Sequence, residues 1–180
     1  MLLPVYVVLL HYPMRNRKGD VVTTAVTNLD IHDISRSCRT FGVTEYILVT
    51  PIASQHDLVR RILGHWGEDP SKQWHPDRAE ALSRVRVEAS FEAVLERLTE
   101  RHGQRPEVVL TDAAQHERSI SYADYRRELE LRSSQSESSS PRPVLICFGT
   151  GWGVDQSFYP AVDRILAPIY GPEGPQEEGG

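Results

Sequence analysis

The sequence predicts an α/β domain built on a mainly parallel sheet of five strands with helices on both faces. Short apolar runs bounded by turn residues alternate with stretches whose apolar residues recur at helical spacing, the pattern of a strand–helix repeat. One run, residues 144–148 (VLICF), is apolar throughout, as expected of a strand buried on both faces. It passes into Gly149-Thr150-Gly151-Trp152-Gly153, where alternate glycines allow backbone angles closed to other residues and close approach of a ligand. Ligands of open α/β sheets bind past the carboxyl ends of strands, so this loop reads either as the floor of a small-molecule site or as a plain tight turn. Its G-x-G-x-G spacing is not the G-x-G-x-x-G dinucleotide fingerprint. No Lys-Ser/Thr pair follows, so it is not a Walker-type phosphate loop.

The elements follow in order. Residues 4–11 form the first buried strand. Residues 13–24 are a polar loop in which Arg15, Arg17 and Lys18 stand beside Gly19. Those cations either hold an RNA phosphate or simply face solvent. Residues 27–43 read as a helix. Leu29, Ile31, Ile34, Cys38 and Phe41 approximate its apolar face, Thr27 or Asn28 caps it and Gly42 stops it. Asp30 and Asp33 lie where carboxylates complement the helix dipole, and Arg36 and Arg39 follow on a polar face. A second strand covers 45–50. A second helix covers 54–65, with Leu58, Ile62 and His65 on one side, and a loop covers 67–76. A short helix spans 77–84 and a third strand 84–88. The helix at 90–102 is capped by Ser90, packed through Phe91, Val94, Leu95 and Leu98, and closed by Gly103. The fourth strand, 107–110, leads into Thr111-Asp112-Ala113; a helix covers 122–131. Residues 133–142 read as a mobile, serine-rich linker inside the domain, 158–166 as a short helix, and 172–180 as a disordered tail.

At 180 residues the chain is long enough for one sizeable core. Its 20 basic and 25 acidic residues give a net charge of −5, against a generally nucleic-acid-coated surface but compatible with a local basic patch. Two cysteines suit free thiols in a reducing cytoplasm. The apolar start lacks a basic leader region and reads as a strand, not as a signal peptide or membrane span. The seven histidines show no H-x-x-x-H spacing and there is no paired cysteine motif, so no metal is expected.

Two blocks resemble the SPOUT class of knotted RNA methyltransferases. Asp30-Ile-His-Asp-Ile-Ser-Arg36, running on to Phe41-Gly-Val, is similar to the first motif of the SpoU branch, with Arg36 on the motif arginine and Asp30 on the motif asparagine. Leu145 through Gly153 is similar to the second motif, an apolar strand into a glycine loop. Its usual glutamate is replaced, with Thr150 or Gly151 near that place. HYP near the start, TNLDIHD, RTFGV, a TP after the second strand, HW and FGTGWG also occur in order in a bacterial group of this class, so the resemblance covers residues 4–171. It implies a knotted methyltransferase domain over 1–171, S-adenosylmethionine as donor, tRNA or rRNA as acceptor at base or ribose, a homodimer, and a cytoplasmic setting. It implies donor contacts from Thr111, Asp112, Ala113, Phe148, Gly149, Thr150, Gly151, Trp152, Gly153 and Ile169. Asp30 and Asp33 become the candidate bases. Arg36, always charged, becomes the group that binds phosphate or stabilises developing anionic charge. Arg15, Arg17, Lys18 and Arg39 become RNA contacts.

The class's third motif is expected just after Gly171, and residues 172–180 do not carry it. The resemblance therefore implies an incomplete knot, a missing wall of the donor pocket and weak donor binding. Two other readings stand beside it: an inactive ligand- or RNA-binding protein, and an ordinary nucleotide-binding α/β enzyme. The last is disfavoured by the glycine spacing.

Overall fold

In the computed structural model, which describes residues 3–67, 73–135, 141–172 and 174, every pairing in the main sheet is parallel. Five of its strands are those the sequence predicts: β1 (Val5–Leu10), β4 (Glu45–Val49), β5 (Val85–Glu88), β6 (Glu107–Thr111) and β8 (Val144–Phe148). The sheet has seven strands rather than five, because β7 (Ser119–Ile120) and β9 (Arg164–Leu166) extend it in the order β5-β4-β1-β8-β6-β9-β7. Two- and three-residue strands leave no periodicity to read. Residues 158–166 read as one helix, whereas the chain forms a 3-10 helix at Gln156–Ala161 and then β9. Pro160 donates no backbone hydrogen bond and limits helix growth. Ile165 and Leu166 are buried beside β6.

Alternation along β1 divides the core. Tyr6, Val8 and Leu10 point to the face covered by α4 (Phe91–His102), meeting Phe91, Val94 and Leu98. Val7 and Leu9 point to the other face, against Ile31 and Cys38 of α1 (Asn28–Thr40) and Val59 of α2 (Ala53–Gly67). There α3 (Pro76–Ser83) adds Leu82, while α5 (Tyr122–Gln135) covers Val109 and Val144 with Tyr125. Each fully buried Val, Leu or Ile contributes about 1.5–3 kcal/mol. In α1 the buried stripe is Ile31–Ser35–Cys38; Leu29 and Phe41, expected on the apolar face, are 69% and 82% exposed.

Local chemistry explains the ends. Thr27 and Asp30 form a capping box: the Thr27 side chain accepts from the Asp30 amide, and Asp30 accepts from the Thr27 amide at 2.7 Å. Ser90 caps α4, and Gly103 leaves it with φ +69°. The polar loop at 13–24 folds into a small hairpin of β2 (Met14–Arg15) and β3 (Val21–Val22). The predicted linker is ordered at both ends. Residues 133–135 continue α5, and Arg142 donates to the Arg105 and Pro106 carbonyls and pairs with Asp163. Residues 136–140, and all of the predicted tail except Pro172 and Gly174, lie outside the described residues. No described helix is long and apolar enough to cross a membrane.

The two ends of the sheet differ. At the amino ends, buried Glu107 accepts from Arg132 and Tyr125, and buried Glu45 pairs with Arg97 and Arg101. Burial works against charging Glu107, but its Arg132 and Tyr125 hydrogen bonds outweigh it and hold the pKa below the usual value. The carboxyl ends carry the loops and the cavity described next.

Candidate functional site

Past the carboxyl ends of β6 and β8 lies an open groove of about 740 Å³. The Thr111–Asp112–Ala113–Ala114 turn forms one wall, residues 149–154 form the floor, and Tyr122 and Ile169 complete the rim. Nine of the ten residues assigned to a donor by resemblance line it together. The exception is Phe148, which ends β8 opposite Leu9. Trp152 and Ile169 stand 67% and 81% exposed at the mouth.

The floor is fixed by backbone hydrogen bonds to the β2–β3 hairpin. The Arg15 amide donates to the Gly153 carbonyl at 2.9 Å, the Trp152 amide donates to the Arg15 carbonyl, and the Asp155 amide donates to Pro13. Gly151 has φ +58°, and a Cβ there would meet the Arg15 carbonyl at 3.2 Å, so only glycine suits both the angle and the approach. Arg15 Nε also donates to Asp155 at 3.0 Å. Hydrogen bonds from Ser157 first, and then from Arg15, hold the Asp155 carboxyl down at about 2. The basic hairpin thus stands on the rim of the groove. Arg15 is tied to Asp155, while Arg17 and Lys18 form no ion pair among the described residues.

Asp112 braces the opposite wall. Its Oδ2 accepts from the Tyr159 hydroxyl at 2.6 Å and from His116 Nε2 at 3.0 Å, and its Oδ1 accepts from the Ala114 amide. Burial opposes its charge, but these three hydrogen bonds outweigh that and keep it ionised below the usual pKa. Thr111 donates its hydroxyl to the Cys147 carbonyl, which ties the wall to β8. Both of these side chains hold the turn; surfaces for a ligand come from backbone, Trp152, Tyr122 and Ile169.

The first-motif residues lie elsewhere. None of Asp30, Asp33, Arg36 and Arg39 lines the groove. Asp30 is engaged in the capping box, and Asp33 pairs with Arg36 at 2.7 Å. Arg36 lines a separate cavity of about 420 Å³ with Arg39, Trp74, His75 and Arg78. Arg39 pairs with Asp77 and Glu80 of α3, which clamps α1 to that helix. Arg78 lies 4.7 Å above the Trp66 ring. The predicted RNA contacts are therefore split, three on the hairpin and Arg39 in the second cavity.

Sequence reading missed His11, Thr24, His116 and Tyr159. His11 is fully buried, and burial lowers its pKa against the opposing pull of Asp30. Tyr159 sits in a stretch that reads as an ordinary apolar helix. His11 stands in the sequence at the carboxyl end of an otherwise apolar strand and opens the HYP match, and neither gave it a role at the groove. Among the described residues no three His, Cys, Asp or Glu side chains converge as metal ligands.

A glycine-floored groove at the carboxyl edge of a parallel sheet is where α/β proteins commonly place small-molecule sites. Residues 4–174 match the family described as SAM-dependent RNA methyltransferase, and the chain belongs to that family. An uncharacterized protein of Aquifex aeolicus is 33% identical, over 93% of this chain and 78% of its own length. Proteins named tRNA (guanine-N(1)-)-methyltransferase from Oleidesulfovibrio alaskensis and Nitratidesulfovibrio vulgaris are 36% and 37% identical over 94% and 91% of this chain. The chain spans only 37% and 36% of those two relatives' lengths, so their name describes much longer proteins. Among solved structures, one described as a probable methyltransferase from Bordetella pertussis superposes with TM-score 0.58 at 12% identity, covering 95% of this chain and 82% of that one. A probable methylase family protein from Haemophilus influenzae gives 0.53 at 17% identity, covering 96% and 57%. At such identities these two likenesses concern the fold.

Proposed function

We propose that this chain transfers a methyl group from S-adenosylmethionine to RNA, with the donor in the groove and the RNA arriving across the β2–β3 hairpin. One observation carries this reading: the Thr111–Ala114 turn, residues 149–154 and Ile169, far apart in sequence, line a single groove whose floor is hydrogen-bonded to the hairpin that carries exposed Arg17 and Lys18. The groove fits the donor. Its volume falls in the range of about 300–1,000 Å³ usual for small-molecule sites, and its mixed lining suits a nucleoside.

When bound, the donor supplies an electrophilic methyl carbon. The chain's residues do the rest. Backbone groups of residues 149–153 and 111–114 orient the nucleoside, and Trp152, Tyr122 and Ile169 cover its rings. Arg17 and Lys18 hold phosphates, which steers RNA to the rim. The acceptor is tRNA in this reading, following the names of two relatives, with rRNA as the alternative. The setting is cytoplasmic.

Arg36 enters through a homodimer, in which α1 of one copy presents it to the groove of the other. There its guanidinium stabilises anionic charge on the acceptor, and Asp30 or Asp33 takes the proton.

Calorimetry with S-adenosylhomocysteine tests the donor site: it binds the chain and dinucleotides do not displace it. No binding at millimolar ligand overturns the reading. Tritiated-donor assays on tRNA and rRNA test transfer. The dimer has its own test. Trp152→Ala and Arg36→Ala chains, each inactive alone, recover roughly a quarter of wild-type activity when mixed, because half the dimers then hold one intact composite site. No recovery removes Arg36 from a shared site. A second reading, binding without transfer, is favoured by the Asp33–Arg36 pairing outside the groove. Tight S-adenosylhomocysteine binding with no methylation of any RNA supports it.

A further inference from the structure

We propose that His11 is a positioning residue for the groove, its ring setting the shape of the glycine floor through Thr24 and Thr150. This inference rests on the reading of the groove as the donor site. His11 Nδ1 lies 3.0 Å from Thr24 Oγ1, which lies 2.6 Å from Thr150 Oγ1, which lies 3.0 Å from the Leu10 carbonyl.

Counting protons gives this chain one direction. The Leu10 carbonyl only accepts, so the single Thr150 hydroxyl proton goes to it. The 2.6 Å contact between the two threonine oxygens then needs the Thr24 proton. With that proton spent, Thr24 accepts from His11, and Nδ1 must carry hydrogen. Burial disfavours the imidazolium, so the ring is the neutral Nδ1–H tautomer and Nε2 bears the lone pair. Nε2 is buried without a hydrogen-bond partner among the described residues. Two other buried atoms without a well-angled hydrogen bond, Glu45 Oε1 and Arg97 Nη2, face each other as an ion pair at 2.6 Å. His11 Nε2 has no such explanation, and a buried acceptor of this kind carries a desolvation cost that calls for one.

The backbone clamps the arrangement. The His11 amide donates to Val49 on β4, and the Thr24 amide returns to the His11 carbonyl, each at 2.9 Å. The Thr24 methyl also stands over the floor, where a Cβ added to Gly151 would lie 3.4 Å from it. The end of β1, the start of the segment before α1 and the glycine floor thus meet at one histidine ring. The functional demand is a donor at the Nδ1 position, which an Asn amide also supplies and a Gln amide, reaching to the Nε2 position, does not.

Four variants of the full chain test this: H11N, H11Q, H11A and T24V. Histidine side-chain nitrogen NMR of the wild type shows His11 as the neutral Nδ1–H tautomer; in T24V, where Nδ1 loses its acceptor, that signal changes. Amide spectra follow Gly149, Gly151 and Gly153 without any ligand. H11A, H11Q and T24V shift these three resonances and H11N restores them. Calorimetry with S-adenosylhomocysteine then shows about tenfold weaker binding for H11A, H11Q and T24V, and near-wild-type binding for H11N. An Nε2–H tautomer in the wild type, or glycine resonances indifferent to H11A, overturns the inference. If the wild type binds no S-adenosylhomocysteine while the glycine shifts follow the pattern, the donor reading fails and the His11 relay stands. A wild type that binds donor while H11A and H11N bind equally well overturns the positioning role alone.

Discussion

The groove at the carboxyl ends of β6 and β8 and the cavity between α1 and α3 are built differently. The groove's floor is held by main-chain hydrogen bonds to the hairpin and by hydroxyls tied to carbonyls, with Gly151 at a position only glycine tolerates. The second cavity is held by side chains: Arg39 to Asp77 and Glu80, Arg36 to Asp33, and Arg78 over Trp66. Main-chain bonds fix shape regardless of salt. Exposed ion pairs are screened and worth little each. A preformed floor and an adaptable, charge-bearing surface follow from that difference.

The largest expected effect breaks the first region. A Cβ on Gly149 would lie 2.8 Å from Val154 Cγ2 and 3.0 Å from Met14 Cε. Met14 is fully buried, so neither neighbour has free space to enter. Gly149→Val should cost about 1–3 kcal/mol by overpacking and lower the melting temperature by roughly 2–4 °C for each kcal/mol. It should also weaken S-adenosylhomocysteine binding. Gly153→Ala meets no atom within 4 Å and pays only for its φ of +96°, a cost of about 1–2 kcal/mol. Thermal melts that rank Gly153→Ala as the more damaging of the two would show that the floor is not tightly packed.

The next effect uses pH. His11, beside the groove, and His32, near the second cavity, both have pKa values below the ordinary 6.5. Burial is the main cause in each; Asp30 opposes it at His11, whereas Arg78 adds to it at His32. A lowered folded pKa means that the unfolded chain binds more protons below 6.5. The stability that these two histidines contribute should therefore be fully present above that pH and fall as pH drops through it. Salt separates the regions: screening Arg78 should move the His32 titration upward, and the buried His11 should respond little. NMR titration at two salt concentrations reads both. Equal salt responses would show that the two histidines share one environment.

The same contrast explains what the sequence disclosed. The five long strands, α1 with Thr27 among its two candidate caps, and α4 with Ser90 and Gly103 were legible because each rests on local chemistry, while the reciprocal Asp30 bond of the α1 cap came only with the fold. Residues 149–153 were legible as a candidate floor because a glycine loop after a buried strand is a local pattern, whereas Thr111–Ala113 and Ile169 were assigned through the family resemblance. The separation of Arg36 from that loop was not legible. It needed a tertiary relation, and in this single chain the two lie in different cavities. The strands β7 and β9 were too short to show a period, and Ile165 and Leu166 read as easily in a helix. His11, Thr24 and Thr150 are distant in sequence, and only the fold joins their hydroxyls and ring. The hairpin was visible only as three cations and a glycine, since its strands are two residues each.

The smallest expected effect sharpens the second region. Arg39→Ala removes the α1–α3 clamp, since Arg39 reaches Asp77 and Glu80 at 3.0 and 2.8 Å. Hydrogen bonding to Arg39 is also the main cause that holds the Glu80 carboxyl below its usual pKa. The partners are solvent-exposed, so the loss of stability should be small, visible at low salt and fading as salt rises. Apolar packing of Leu82 with the α1 and α2 core remains in the variant and keeps α3 docked. Glu80 then retains only Arg84, four residues along, as its ion-pair partner among the described residues. Donor binding in the groove should not change, because the floor shares no side chain with this clamp. Melting curves at low and high salt, paired with S-adenosylhomocysteine calorimetry, give both readouts. A salt-independent loss of stability would mean that Arg39 acts by packing its stem against α3 rather than by charge, and weaker donor binding would join the two regions that the structure keeps apart.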